Sequence, residues 1–476
     1  MRLPARFLAL SATMAALIPV CGFAPDAAQA PEADIVVTAA PVYLAQAALR
    51  GKERFPKGAQ LLLVHAGKVE PLVKDFAASA DAQLSWDAKS VLFAGKKGAS
   101  DPWQIWEVTL ATHAVRRVVA TETDAIRPFY LPGLLPGGRV LYAQRTAQGF
   151  QLESARAQEI SPANQAVEPG PSVVQISYLP ASALPVDVLQ DGRILFESGF
   201  PLGTGTTPEM FLVYADGSGV ESYRCDHPAT LSARRWGGKQ LSSGDVVFTH
   251  GASLARFTSP LAAEAHIAAP HAEYAGAIAE TASGEWLLSA RAPGVSHYAL
   301  NLWKPGAASL QTLLTESGQD LVDPVLVAPR QRPNRHPTGL HDWNYANMMA
   351  LDARESREGK LKAAPTSVRL ETMDAAGHAV SMGTAPVESD GSFFVKTPAN
   401  QPIRFSLLDA KGATLRQEHG WFWIRGGEQR ICVGCHAGPE RSSENRVPAV
   451  LMHTTIAADL SGSKPAAAQQ KTPGGK

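Results

Sequence analysis

Two cysteines two residues apart, followed at once by a histidine, make up Cys432-Val433-Gly434-Cys435-His436. Each thiol can form a thioether to one vinyl group of the same porphyrin, and the adjoining imidazole then lies within reach of its iron. The spacing therefore predicts one covalent haem c, with Cys432 and Cys435 as attachment points and His436 as an iron ligand. A structural zinc site would need two further ligands at regular spacing, and no second C-x-x-C exists. A thiol–disulfide pair of the thioredoxin kind would sit in a βαβ pattern, which the flanking sequence lacks.

The far side of the iron decides the chemistry. A second histidine or a methionine there closes the coordination and suits the iron to single-electron transfer, whereas an open position lets it bind and transform a small molecule. His341, His378, Met382, His419, Met452 and His453 are the candidates, and none of them is the remaining alternative. His419 adjoins Trp421-Phe422-Trp423, which is expected to form an apolar wall for the porphyrin, and Glu418 could orient its ring. No G-x-S-x-G, H-E-x-x-H, phosphate loop or dinucleotide-binding glycine pattern is present. Gly203-Thr204-Gly205-Thr206-Thr207 reads as a blade loop and Gly426-Gly427-Glu428 as a turn leading to the motif.

The N-terminus carries Arg2 and Arg6, a mostly apolar run from Phe7 to Val20 and Ala28-Gln29-Ala30, which together describe a signal peptide over residues 1–30 with mature Pro31. Export to the periplasm or medium is the expectation, and it agrees with the motif, because bacterial c-type haems are attached outside the cytoplasmic membrane. A lipid anchor at Cys21 is disfavoured by Pro19 and Val20 before it. Of four cysteines, Cys21 leaves with the leader and two take the haem, so Cys225 is left as an inert buried thiol with no disulfide partner. Forty-four basic residues balance forty-four acidic ones, so no net field draws the chain to nucleic acid or anionic lipid, and the partner expected for an electron-transferring haem is a redox protein docked on the propeller. No apolar run of transmembrane length follows residue 30.

The elements that must position the motif are strands. Between about 55 and 330 a Gly, Asp or Pro turn repeatedly precedes a short apolar run, as in Trp86 to Phe93, Pro136 to Tyr142 and Asp191 to Phe196, with weaker copies at Gly244 to Phe248 and Gly284 to Leu288. The spacing, roughly 40 to 55 residues, suits one four-stranded propeller blade per copy. Residues 331–364 read as a linker rich in proline and charge. From Ser367 apolar residues alternate again at Val368 and Leu370, Phe393 and Val395, and Ile403, Phe405 and Leu407. The fold class expected is all-β: a propeller of five to seven blades over 31–330, a small antiparallel β-sandwich-like domain over 365–450 carrying the motif, and a disordered tail over 451–476.

The turn-and-strand copies, Asp191-Gly192-Arg193-Ile194-Leu195-Phe196 best of all, resemble the WD40-like repeats of TolB-type propellers. The stretches Ala328-Pro329-Arg330 to Pro337, Val387 to Phe393, Pro402 to Asp409 and Trp421 to Glu428, running into Cys432 to His436, resemble the middle domain of the hydrazine synthase alpha subunit family. That resemblance implies a propeller ahead of a β domain holding a c-type haem. This chain has one C-x-x-C-H and no tyrosine after Tyr345, which removes a phenolate near the motif as an iron ligand. Hydrazine synthesis itself is therefore not implied. Three roles are expected in order: an exported monohaem c-type cytochrome that transfers electrons, a haem oxidoreductase subunit acting on a small molecule, nitrogenous ones included, and a propeller scaffold or sensor with structural haem.

Overall fold

The turn-and-strand copies each build a β-hairpin, and hairpins of this kind assemble into a ring. The computed structural model describes residues 33–133, 138–156, 172–199, 209–223, 235–260, 262–336, 338–356, 359–374, 376–418, 420–434 and 445–462. Among these, six four-stranded antiparallel sheets form the blades of a propeller. Blades two to six start in chain order with the inner strands Ala78–Leu84, Ala125–Leu131, Ala183–Val188, Arg235–Gln240 and Glu273–Glu280. Blade one closes the ring by joining the two ends of this region: the inner strand Asp320–Leu326 pairs antiparallel with Ile35–Ala40. The six inner strands touch one another in sequence around the axis. Apolar residues pack between neighbouring blades, with Phe93, Phe150, Phe196, Phe248 and Trp303 fully buried.

Every inner strand is interrupted by a bulge or register shift. In five of them a residue at that point adopts a left-handed backbone: Asp81, Arg127, Gly237, Gly276 and Asp323. Such bulges re-aim side chains, and here they stitch the blades together. Asp81 accepts the Arg127 N–H at 3.1 Å, Asp187 the Gln240 N–H at 2.9 Å, and Asp323 the Ala277 N–H at 2.9 Å. The insertion between Ile35–Ala40 and Gln60–His65 folds over one end of the axis. Its buried Arg54 binds both Asp81 and Asp323, the latter at 2.9 Å, and so ties blade two to blade one.

The second domain is a two-sheet sandwich. One sheet orders Ala379–Pro386, Ser367–Met373, Ile403–Leu408 and Thr414–Gln417; the other orders Gln429–Cys432, Tyr345–Ala350, Phe393–Pro398 and Ala458–Asp459. Val368, Leu370, Val395, Ile403, Phe405 and Leu407 fill the space between them, as the alternation predicts. Three details differ from the sequence reading. Residues 345–350 are a central strand rather than linker, because Ala346, Met348 and Ala350 alternate into the core. The second sheet is mixed, since Gln429–Cys432 and Ala458–Asp459 both pair parallel to their neighbours. The tail expected to be disordered from 451 instead continues a short helix, Ala449–His453, and forms the edge strand Ala458–Asp459, with Val450 and Leu460 buried.

The connection from Val327 to Asn344 is proline-rich, as read, and it is held against the propeller face. The Arg330 N–H donates to Trp86 O, Arg332 donates to Gly133 O, and the His336 ring lies 4.1 Å from that of Tyr214. Gly192 leaves room for it: a Cβ there would meet Asn334 O at 2.1 Å.

Candidate haem-attachment site

Cys432 ends the strand Gln429–Cys432, which is held parallel to Tyr345–Ala350 with Ala350 opposite Cys432. The chain then follows the neighbouring loop closely, Leu351 N–H donating to Cys432 O at 2.9 Å and Asp352 N–H to Val433 O at 3.1 Å. Gly434 is required by this approach, because a Cβ would stand 2.8 Å from Glu355 O and 2.9 Å from Asp352 O. Cys435 and His436 lie outside the described residues, as do His419, Cys225, residues 203–207, the expected leader 1–30 with Cys21, and the residues beyond 462. The Cys432 side chain packs at the margin of the sandwich core. Burial raises its thiol above the usual value, Glu418 adds to this, and Arg430 opposes it.

The structure sorts the candidate distal ligands. His341 stacks on Trp343, 4.8 Å between rings, against the Gly426-Gly427 turn, where a Cβ on Gly427 would meet its backbone N at 2.7 Å. That turn begins the strand that Cys432 ends, which places His341 at the opposite end. His378 sits on the hairpin tip beyond Met373, beside Asp374, and Met373 faces the propeller, so His378 is also at the far end. Met382 packs against the sandwich core. Met452 and His453, in contrast, share the Cys432 end. Their helix docks on the turn Ser389-Asp390-Gly391-Ser392, Ala449 N–H donating to Asp390 at 2.7 Å and Val450 N–H to the Ser392 hydroxyl at 3.1 Å. That turn in turn binds Ala353 N–H through Gly391 O at 2.8 Å, beside the loop that Gly434 touches. The His453 ring contacts Glu388 at 3.1 Å. Glu418, the neighbour of His419, lies within electrostatic reach of Cys432.

The same segment carries unusual exposed apolar surface. Ile431 is 62% exposed, Val447 65%, Met452 73% and Ile456 79%, with Leu451 also in contact with water. Exposed apolar side chains before and after the motif in sequence are of the kind that a large apolar group could cover. The residues present therefore fit a haem: a thiol at a fixed strand end, apolar flanks, and a thioether and imidazole on the same end.

The aromatic triplet does not belong to this surface. Trp423 is fully buried between the domains, its ring 6.2 Å from Phe196 and 6.3 Å from Tyr178, and its indole N–H donates to Gly217 O at 2.8 Å. Trp421 joins the same cluster, beneath the Arg404 guanidinium. The expected apolar wall for the porphyrin is instead the seam to blades three and four. Apolar composition alone does not say which surface a side chain meets. Glu428 and Arg425 complete the seam, the Glu428 carboxylate accepting Gly219 N–H at 3.2 Å and Arg425 donating to Gln175 O at 3.2 Å. Gly426-Gly427 is a turn, as read, and it supports the linker as well as leading to the motif.

A propeller, six-bladed among the described residues, fused to a β-sandwich that carries a C-x-x-C-H sequence is the class these features define. Residues 347–437 match the family model of the hydrazine synthase alpha subunit middle domain, so the chain carries a domain of that type behind its propeller. The fold agrees over most of the chain: hydrazine synthase from Kuenenia stuttgartiensis is similar over 89% of this chain and 72% of its own, at 17% identity and a TM-score of 0.74. TolB from Acinetobacter baumannii is similar over 62% of this chain and 66% of its own, at 12% identity and a TM-score of 0.41. TolB from Agrobacterium tumefaciens is similar over 59% and 89%, at 10% identity and a TM-score of 0.40. No curated protein sequence matches the chain.

Proposed function

We propose that this chain is an exported haem c protein and the haem-bearing component of an oxidoreductase acting on a small nitrogenous molecule. Cys432 and Cys435 would hold the porphyrin and His436 its iron. The observation that carries this reading is a C-x-x-C-H motif whose Cys432 ends a strand and whose Gly434 packs against a neighbouring loop, with exposed apolar residues before and after it, within a domain matching the hydrazine synthase alpha middle domain. When bound, haem supplies a redox-active iron whose potential and ligand access depend on its surroundings. The chain's own residues supply the rest. The parallel strand pairing fixes Cys432, the loop Asp352 to Glu355 sets the path after it, and the helix Ala449–His453 brings side chains that can approach the cofactor from outside the sandwich. The linker and the Trp423 seam hold this assembly against the propeller, whose free face is available to a redox partner protein.

A second reading, a monohaem electron carrier, is favoured by one observation: the Met452 thioether and His453 imidazole share the motif's end of the sheet and can close the iron's coordination. Absorption and magnetic spectra of protein matured with haem separate the two. High-spin ferric iron that binds cyanide, and ferrous iron that binds CO or NO, are expected for the oxidoreductase. A six-coordinate low-spin iron indifferent to all three would overturn it in favour of the carrier.

A further inference from the structure

The propeller axis holds a chamber that the haem site does not use. Its volume is about 690 Å³, within the range of about 300–1,000 Å³ over which proteins enclose small organic ligands. Arg54, from the insertion after Ile35–Ala40, lies at the Asp81 and Asp323 level of the axis, and the linker Ala328 to Asn334 lines the chamber where the inner strands end. Apolar residues such as Phe129, Val186 and Ile278 alternate in its wall with Gln83, Gln190 and Gln240.

Charge within the chamber is uneven. On one side Asp81 and Asp323 share Arg54, so that region carries carboxylates to spare. On the other, Asp187 is the carboxylate that Lys239 and Arg330 both feel. Asp187 is already engaged, accepting from Lys239 Nζ at 2.8 Å and from Gln240 N–H at 2.9 Å. Arg330 reaches in from the linker and lies 4.2 Å from the centre of the Trp86 ring, donating one N–H to Leu84 O at 3.1 Å. Its Nε is buried and has no hydrogen-bond partner among the described residues. A buried donor left so costs roughly 1–3 kcal/mol, and burial pulls both Lys239 and Arg330 below their ordinary pKa values despite Asp187. Both side chains nevertheless keep part of their surface open to the chamber, and an anion placed against the pair would meet two cations there.

We infer that the axial chamber binds a small organic monocarboxylate, its carboxylate received by Arg330 and Lys239 and its body lying along the mixed apolar and amide wall. A polyanion fits poorly, because Asp81, Asp323 and Glu280 line the same space and would repel the additional charge. This site is independent of the haem reading and would operate with or without the cofactor. Since Arg330 belongs to the linker between the domains, occupancy also fastens that linker to the propeller face.

The full chain is tested by calorimetric titration and thermal shift with benzoate and butyrate, using benzamide and butyramide as uncharged counterparts and 1,4-diaminobutane as a cationic control. Saturable binding of a carboxylate with a rise in melting temperature, and none by the amides or the diamine, is expected. Arg330→Gln, on the linker and outside any blade, should fold normally by circular dichroism and weaken binding by at least about tenfold, the loss of one charge-assisted contact. Lys239→Gln should act in the same direction. No saturable binding by either carboxylate, binding of the diamine instead, or unchanged affinity in a folded Arg330→Gln protein would each overturn the inference.

Discussion

Removing the indole of Trp423 should separate the two domains. The side chain is fully buried at the seam, contacts Phe196 and Tyr178, and donates to Gly217 O at 2.8 Å. Truncating a buried tryptophan to alanine costs about 3–5 kcal/mol, and the orphaned carbonyl adds about 1 kcal/mol. Trp423→Phe keeps most of the apolar area and loses the hydrogen bond, so it should cost about 1–2 kcal/mol. Calorimetry should show Trp423→Ala unfolding in two resolved steps, the sandwich first, and limited proteolysis should open the 328–344 connection. The same variant should still acquire haem, because the indole faces the propeller and not the motif. Unchanged unfolding together with lost haem attachment would refute the reasoning and restore Trp423 to the porphyrin's wall.

Gly434→Ala forces a methyl against two backbone carbonyls under 3 Å away and should destabilise the sandwich by about 1–3 kcal/mol in urea titrations. Arg54→Met leaves Asp81 and Asp323 facing each other without their cation; thermal unfolding should reveal a loss of about 3–5 kcal/mol, since one partner of a buried ion pair has been removed. Asp390 gives a pH dependence. Its partial burial alone would raise its pKa, but the Ser392 hydroxyl, the Ala449 and Ser392 N–H groups and Arg446 hold it well below the usual carboxylate range. Its stabilisation is therefore fully present above the unfolded value of about 3.9 and is lost as pH falls below that towards the folded value. The protection of amides 449–453, measured against their intrinsic exchange rate at each pH, should hold at pH 5 and fall on acidification below about pH 3.9, and Asp390→Asn should abolish that difference.

Five turn-and-strand copies were legible because each is one local hairpin, joining the inner strand of blades two to six to its neighbour. Blade one has no such copy: its inner strand lies at 320–326 and its neighbour at 35–40, and Ile35–Ala40 is buried on both faces, so no alternation marks it. Blade number is thus a long-range property that the local pattern only brackets. The sandwich strands at 367–373, 393–398 and 403–408 announce themselves by period two. Tyr345–Ala350 does so as well, but it is overshadowed by the proline-rich run before it and the charged loop after it. The axial ion network leaves no trace in sequence, because Arg54 meets Asp81 across 27 residues and Asp323 across 269. At the motif, residue type and spacing carry the proposed attachment chemistry, whereas the grouping of Met452 and His453 with its Cys432 end depends on how the last helix docks.

Covalent haem attachment is the central claim and can be measured directly. The full chain, residues 1–30 included, should be expressed in a host carrying a cytochrome c maturation system, then denatured and extracted with acidified solvent. The account predicts one haem per chain that stays with the polypeptide, seen as in-gel haem peroxidase activity and as a mass increase of one haem, and lost in the Cys432→Ser, Cys435→Ser double variant. Haem that extracts completely, or that the double variant retains, would contradict it.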